Sequence, residues 1–238
     1  MTKHSFSETA IIIPVHNEAP ALPRLFQLLA DCQALVIFVD NASIDDSFTL
    51  IKHSKHQLIS EHRLGYGHAI RAGFAEAHRL GKTIGVVYDA DASDNIMDIS
   101  TLTEPIYLGL ADFCLSDRSQ SPHISTMPPH QRFGNQLAVF LMRLLTDANY
   151  SDMGPLRAIR LSCYQQMELQ DDGYGWNVEM QLRAAELQLR VREFPMSYNP
   201  RTQGESKISG RIIPSVRAGT VILKTVAKFA LSSRRRAK

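Results

Sequence analysis

The sequence has few cysteines, a small net charge and no apolar run long enough to span a membrane, and each of these features excludes a class of protein. Three cysteines among 238 residues, without metal-ligand spacing, exclude a disulfide framework, so we expect reduced thiols and a cytoplasmic protein. No window reaches the length of a membrane span, and residues 1–8 are polar, so we expect neither an integral nor a secreted protein. A formal net charge of +2 lacks the basic excess of a nucleic-acid-coating protein, and we expect no nucleic-acid partner.

The composition that is present is that of an ordinary globular protein. Hydrophobic residues make up 44% and charged residues 21%, and 238 residues fit one large domain better than two. Charge is nevertheless uneven along the chain, because residues 232–238 form a basic tail while acids gather at 40–46 and 89–98.

A carboxylate cluster directly follows the apolar run 84–88, which has the length of a buried strand. Asp89, Asp91 and Asp94 stand within six residues, and their mutual repulsion opposes full ionisation unless a cation lies between them. Asp89 and Asp91 can turn toward one ion, and their hard oxygen ligands suit Mg²⁺ or Mn²⁺. A metal with few protein ligands usually also holds substrate phosphates. The alternative is a solvated acidic turn.

Strand-like and helix-like segments alternate along the chain. The predicted strands are 9–15, 34–39, 57–60, 84–88, 110–115 and 190–198. The predicted helices are 22–32, 45–53, 67–80, 137–144 and 176–187. This order predicts a mostly parallel, Rossmann-like sheet flanked by helices, with ligands bound beyond the carboxyl ends of the strands. Glu18, Asp40 and Asp89 stand at those ends.

Two further features have simple structural interpretations. The sequence Gly65-Tyr66-Gly67 invites a dinucleotide-binding interpretation, but that fingerprint needs a small residue where Ile70 stands and should follow the first strand. We expect these glycines to close a loop before a helix. Trp176, the only tryptophan, is expected in the core rather than as a sugar platform.

The order of several motifs resembles the family 2 glycosyltransferases of GT-A fold, in particular their dolichyl- or polyprenyl-phosphate mannosyltransferase-like branch. The motifs that carry the resemblance are 13–18, 39–45, 89–91, 116–118, 132–135, 152–157 and 201–207. The resemblance implies a glycosyltransferase domain over 1–210, and the C-terminal residues 211–238 are expected to form a basic amphipathic helix and tail.

The same resemblance implies a nucleotide-diphosphate sugar donor of UDP or GDP type. Its implied binding residues are Pro14, His16, Glu18, Asp40, Asn41 and Asp89. Asp89 and Asp91 would hold the metal on the diphosphate, which neutralises the charge that develops on the leaving group. Asn41 stands where the family often has a second acid.

The implied acceptor is a polyprenyl phosphate of undecaprenyl or dolichyl type, reached by inverting transfer. The residues that resemble the family's acceptor-phosphate groups are Arg118, Arg132, Arg201 and Lys207. A phosphomonoester is largely ionised near neutral pH because its second pKa is about 6, so no general base is needed.

Two other functions stay open on the sequence alone. A hydroxyl acceptor would require a carboxylate base, for which Asp152 and Glu179 are the candidates. Either could instead be structural, with Asp152 paired to Arg157 and Glu179 to Arg183. The chain could also be a non-catalytic nucleotide-sugar-binding module. The candidate catalytic residues are thus Asp91, Arg118, Asp152 and Glu179.

The periodic segment 212–231 predicts a basic amphipathic helix. It fits peripheral contact with the cytoplasmic face of an anionic membrane. The alternative is an ordinary helix that covers the sheet.

Overall fold

A seven-stranded sheet forms the centre of the protein. The computed structural model describes residues 6–146, 148–173, 175–197 and 224–230. Its strands are β1 (Thr9–Val15), β2 (Leu35–Asp40), β3 (Gln57–Ser60), β4 (Ile84–Val87), β5 (Phe113–Asp117), β6 (Arg157–Arg160) and β7 (Val191–Pro195). They lie in the order β3-β2-β1-β4-β6-β5-β7. Among these strands only β6 runs antiparallel to its neighbours, which confirms the predicted mostly parallel sheet.

Helices cover both faces of this sheet. They are α1 (Leu22–Leu28), α2 (Ser47–Lys52), α3 (Tyr66–Arg79), α4 (Asp98–Tyr107), α5 (Pro129–Leu145), α6 (Leu161–Met167), α7 (Trp176–Glu186) and α8 (224–230). Strand β1 is buried on both sides, with Ile12 facing the cluster under α3 and α7 and Ile11 facing the cluster under α1 and α4. A strand with two buried faces reads as a continuous apolar run, which is why it is visible in the sequence.

Helix α3 lies unusually close to the sheet. A side chain on Gly73 would overlap the side chain of Ile12 on β1. This close approach holds α3 against β1, and the start of α3 lies beside the ends of β2 and β4, where Gly65 contacts Asn41 and Tyr66 contacts Asp89.

Several elements differ from the sequence prediction. Helices α4 and α6 and strand β6 were not predicted; Pro105 lies inside α4, α6 has only seven residues and β6 only four. Strand β5 begins at Phe113 rather than at residue 110, and helix α5 begins at Pro129 rather than at residue 137. Residues Ile124–Thr126, between β5 and α5, form a 3₁₀ turn.

The C-terminal prediction is described only over 224–230. There α8 buries Val226 and Phe229 against the core, and the Thr225 hydroxyl donates to Asp171 Oδ2 at 3.0 Å. These residues therefore follow the sheet-covering alternative. The predicted domain boundary at 210/211 and the rest of the tail lie outside the described residues. None of the described helices has the length and hydropathy needed to cross a bilayer.

Candidate active site

The carboxyl ends of β1, β2 and β4 place three loops side by side. Each loop contains a non-glycine residue in the left-handed region: Asn17 (φ 53°), Ala42 (φ 56°) and Ala92 (φ 52°). Such residues are uncommon outside glycine and concentrate at sites where the surrounding structure holds the backbone. Asn17 is held by its own side chain, since Asn17 Oδ1 accepts the N–H of Ile44 at 2.8 Å. The three left-handed residues therefore mark this edge of the sheet as a candidate binding site.

At the end of β2, one carboxylate oxygen is buried without a partner. Asp40 is 6% exposed, and its Oδ1 accepts no hydrogen bond from the described residues. Leaving a buried acceptor unsatisfied costs roughly 1–3 kcal/mol. The Oδ1 of Asp40 can therefore accept a hydrogen bond from a donor such as an N–H or a hydroxyl group.

The neighbouring Asn41 has a structural role in this edge. Its Nδ2 donates to the carbonyls of Glu61 (3.0 Å) and Arg63 (2.8 Å), and its Oδ1 accepts the N–H of Gly65 (2.8 Å). A carboxylate could not make the two donations, which explains why an amide stands where an acid was expected.

The other residues predicted to line a base pocket lie along the loop after β1. Pro14 is part-buried near the end of β1, and Glu18 is 8% exposed. The Nδ1 of His16 lies 2.7 Å from the carbonyl of Asn41, which joins the β1 and β2 loops. The structure thus brings these residues together with Asp40 at one edge.

The acid cluster after β4 contains a buried carboxyl group, that of Asp94. Asp94 is 7% exposed and its Oδ2 has no partner among the described residues. Burial, together with the charges of Asp89 and Asp91, raises the pKa of Asp94 to about 7, although the charge of Arg118 opposes the shift. These mutual effects place the three carboxyl groups close together, and a cation would relieve their repulsion.

The donor set fits a hard divalent cation only in part. Within the described ranges, no group of three histidine, cysteine or acidic side chains is arranged to hold a metal. Asp91 Oδ1 accepts the N–H of Ser93 at 3.0 Å, so Ser93 contributes its backbone to this turn. Two carboxylates suit an ion whose other ligands are phosphate oxygens and water, as is usual for Mg²⁺.

Behind Asp89 lie two side chains that were not predicted as site residues. Tyr66 Oη donates to Asp89 Oδ1 over a long 3.5 Å, and its ring meets Trp176 edge-on at 5.8 Å. Arg157 is fully buried, lies 5.9 Å from the centre of the Trp176 ring, and donates to the carbonyl of Gly154 at 2.5 Å. Burial lowers its pKa to about 10, opposed by Tyr66 and Asp89, so the guanidinium still provides a positive charge beside Asp89.

Trp176 is confirmed as a core residue, since it is 0% exposed. The signal for Tyr66 was the glycine pair around it, and the signal for Arg157 was its place in the motif 152–157.

A buried ion pair joins the ends of β5 and β6. Arg118 donates to Asp152 through Nε (2.7 Å) and Nη2 (3.1 Å), and its backbone N–H donates at 3.0 Å. The N–H of Met153 adds a fourth bond to the carboxylate at 2.8 Å. Burial raises the pKa of Asp152, but Arg118 and these hydrogen bonds outweigh it, and the net pKa is lowered. Asp152 therefore pairs with Arg118, and the predicted pairing with Arg157 is wrong.

Glu179 holds a loop in place. Its carboxylate accepts the N–H groups of Gln170 (3.0 Å) and Asp171 (2.7 Å), and the predicted partner Arg183 instead pairs with Glu186. The adjacent carbonyl of Asp172 accepts the N–H of Gly67 at the start of α3.

Of the remaining predicted acceptor residues, one is described. Arg132 is exposed in the first turns of α5. Arg201 and Lys207 lie outside the described residues.

Comparisons with known proteins give a consistent result. Residues 10–166 match the family model described as glycosyl transferase family 2. An uncharacterized glycosyltransferase of Mycobacterium tuberculosis is 32% identical over 207 residues, which cover 87% of this chain and 92% of the relative. An undecaprenyl-phosphate mannosyltransferase of Micrococcus luteus is 30% identical over 215 residues, covering 85% and 88%.

Among solved structures, a glucosyl-3-phosphoglycerate synthase of M. tuberculosis has a similar fold. Its complex with Mn²⁺, UDP and phosphoglyceric acid superimposes with a TM-score of 0.71 at 15% identity, over 96% of this chain and 80% of that one.

Proposed function

The chain belongs to glycosyl transferase family 2 and is a glycosyltransferase, and from that premise we propose that it transfers one sugar from a nucleotide-diphosphate sugar to a polyprenyl phosphate. The buried ion pair between Arg118 and Asp152 is the observation that favours a phosphate acceptor. The undecaprenyl-phosphate mannosyltransferase among the relatives supports the same acceptor class.

The nucleotide-sugar donor would bind at the edge formed by the loops after β1, β2 and β4. Asp40 would accept a hydrogen bond from the nucleoside through its unpartnered Oδ1. Asp89 and Asp91 would hold Mg²⁺ or Mn²⁺ on the diphosphate, and the M. tuberculosis structure with Mn²⁺ and UDP supports such a cation on this fold. When bound, the ion neutralises charge on the departing nucleoside diphosphate.

The acceptor half depends on a positioned guanidinium. Asp152 accepts four N–H bonds, which saturates a carboxylate with about four lone-pair positions, and three of the four come from Arg118. The pair holds the Arg118 side chain in one orientation, and a guanidinium suits phosphate oxygens. Exposed Arg132 would provide a second phosphate contact.

The two candidate bases are poorly suited to a hydroxyl acceptor. Asp152 is held in its ionised form by Arg118, with a lowered pKa that weakens it as a proton acceptor. Glu179 accepts the N–H groups of a loop. A phosphate acceptor needs neither, because its oxygen is already ionised near neutral pH.

The reaction is then a direct displacement. A phosphate oxygen of the acceptor forms a bond to the anomeric carbon as the bond from that carbon to the nucleoside diphosphate breaks, which inverts the configuration. No proton is transferred, so the protein's task is to bind both phosphates in line and to oppose their charge.

The test compares two acceptors that differ only in charge. Transfer from GDP-mannose and UDP-glucose is measured to a short-chain polyprenyl phosphate and to the corresponding polyprenol, with Mn²⁺ present. Transfer to the phosphate alone supports the proposal, and transfer to the polyprenol with an acid limb in its pH profile would contradict it.

A matched pair of variants tests the acceptor site. Arg132→Gln is expected to lower kcat/KM for the polyprenyl phosphate roughly tenfold to a hundredfold, since a hydrogen bond to a charged group contributes about 1.5–3 kcal/mol. Arg143→Gln, on the same helix and similarly exposed, should leave kcat/KM for this short acceptor unchanged. Equal effects of the two variants would argue against a phosphate contact at Arg132.

A further inference from the structure

Helix α5 presents an apolar face to solvent. Phe133, Phe140 and Leu144 are 66%, 56% and 66% exposed. They stand at positions i, i+7 and i+11, so they form one stripe along the helix. The opposite side is anchored in the core, where Ala138 and Met142 are fully buried. Single exposed apolar residues are common, but an aligned stripe of two phenylalanines and a leucine marks an interaction surface.

Basic side chains border this stripe. Arg132 and Arg143 are exposed, and at about 100° per residue both lie on the same flank of the stripe. An amphipathic helix with aromatic and leucine side chains on one face and arginines beside them matches the surface of an anionic bilayer. From this geometry we propose that the α5 stripe is the surface with which the protein binds an anionic membrane.

The stripe is continuous with the site proposed for the acceptor phosphate. Asn135 Oδ1, on the inward side of α5, accepts the N–H of Met153 at 3.0 Å. Asp152, the preceding residue, holds Arg118. A bilayer against Phe133 would therefore lie next to Arg132, and α5 would connect it through Asn135 to the loop that holds Arg118.

The described part of the C-terminal helix does not offer an equivalent face. Val226 and Phe229 of α8 are buried, with 7% and 8% exposure. We therefore assign membrane contact to α5. This assignment rests on the proposed function, because a lipid acceptor is the reason for the protein to approach a membrane.

The experiment measures vesicle binding and catalysis separately. The full chain is floated with vesicles of phosphatidylglycerol and phosphatidylcholine, and with vesicles of phosphatidylcholine alone. The variant Phe133→Ser/Phe140→Ser is compared with Leu108→Ser/Leu110→Ser, whose leucines are 57% and 52% exposed in the turn before β5. Transfer to a short, water-soluble polyprenyl phosphate is measured for each protein.

The wild type and the leucine variant should float with the anionic vesicles. The phenylalanine variant should bind them at least about tenfold more weakly, because burying one Phe side chain contributes about 1.5–3 kcal/mol. Its transfer to the soluble acceptor should be unchanged. Arg143→Glu should weaken binding to the anionic vesicles and leave the weaker binding to neutral ones unaltered.

Two outcomes would overturn the assignment. In the first, the wild type transfers sugar to the soluble polyprenyl phosphate but does not float with anionic vesicles; this result would be consistent with the proposed function. The other is a wild type that sediments as a dimer and a phenylalanine variant that sediments as a monomer, which would assign the stripe to a second copy of the chain. Vesicle binding through α5 without transfer to any polyprenyl phosphate would support the surface and reject the proposed function.

Discussion

Replacing Asp152 by asparagine is expected to destabilise the protein and to misplace Arg118. The carboxylate is 2% exposed and makes its ion pair with an Arg118 side chain that is 13% exposed. Removing one partner of a buried pair typically costs about 3–5 kcal/mol, because the remaining charge is left without compensation. Arg118 retains some contact with water, so we expect a loss of roughly 2–4 kcal/mol in the free energy of unfolding.

Urea denaturation at neutral pH measures this loss. Asp117→Asn is the matched control, since Asp117 is also buried but its carboxylate accepts one local bond, from the N–H of Ser119 at 2.8 Å. The control should lose less than about 1 kcal/mol. A loss below about 0.5 kcal/mol for Asp152→Asn would refute the argument that the ion pair is a structural support of the site.

The difference between wild type and Asp152→Asn should depend on pH. The pKa of Asp152 is lowered in the folded protein, so its ionised form stabilises the fold above the ordinary carboxyl pKa of about 4 and loses that effect as the pH falls below it. The two proteins should therefore converge in stability at acid pH. A general base would behave differently: the variant would keep its stability and lose turnover.

Three further predictions concern other parts of the site and fold. Asn41→Asp should cost about 2–4 kcal/mol, because a carboxylate would face the two carbonyls that the amide now binds; a neutral effect by urea denaturation would show that the amide is dispensable. Asp94→Asn should flatten the pH dependence of the free energy of unfolding. Because the pKa of Asp94 is raised to about 7 in the folded protein, the wild type should lose up to roughly 4 kcal/mol of stability between pH 4 and 8. The same slope in the variant would contradict this. Gly73→Ala should destabilise by about 1–3 kcal/mol through overlap with β1, whereas Gly134→Ala, with open space around it, should stabilise by about 0.5–1 kcal/mol; equal shifts of the melting temperature would refute the close packing of α3.

Most of the sheet was predictable because strands such as β1 are buried on both faces, whereas the four-residue inner strand β6 was not predicted. Residues of β1 pack into two separate clusters, so positions 10–15 are all apolar and the run stands out from its polar flanks. Helix α4 was not visible, since its serine, threonine and proline residues weaken the helical pattern although Ile99, Leu102 and Ile106 are buried.

The acid pair was predictable for a related reason. Asp89 and Asp91 follow the buried strand β4 directly, so local sequence identifies both the strand and the carboxylates at its end. The partners of Asp152 and Glu179 were not predictable, because they depend on contacts between distant segments. Arg118 lies 34 residues from Asp152, and only the antiparallel placement of β6 beside β5 brings the two together.

The positive charge beside Asp89 has the same origin. Arg157 starts β6, where it pairs with Val87 at the end of β4, two residues before Asp89. The sheet register thus places a buried guanidinium near the carboxylate.

The most direct measurement is a calorimetric titration of UDP and GDP into the wild type, Asp91→Ala and Asp98→Asn, each with Mn²⁺ and with a chelator. Asp98 is a partly buried acid at the start of α4 and serves as the control for charge removal near the site. We expect one nucleotide to bind the wild type and Asp98→Asn only with Mn²⁺, and we expect Asp91→Ala to lose this binding. Equal binding by Asp91→Ala, or binding that persists with the chelator, would contradict the claim that Asp89 and Asp91 hold the donor diphosphate through a cation.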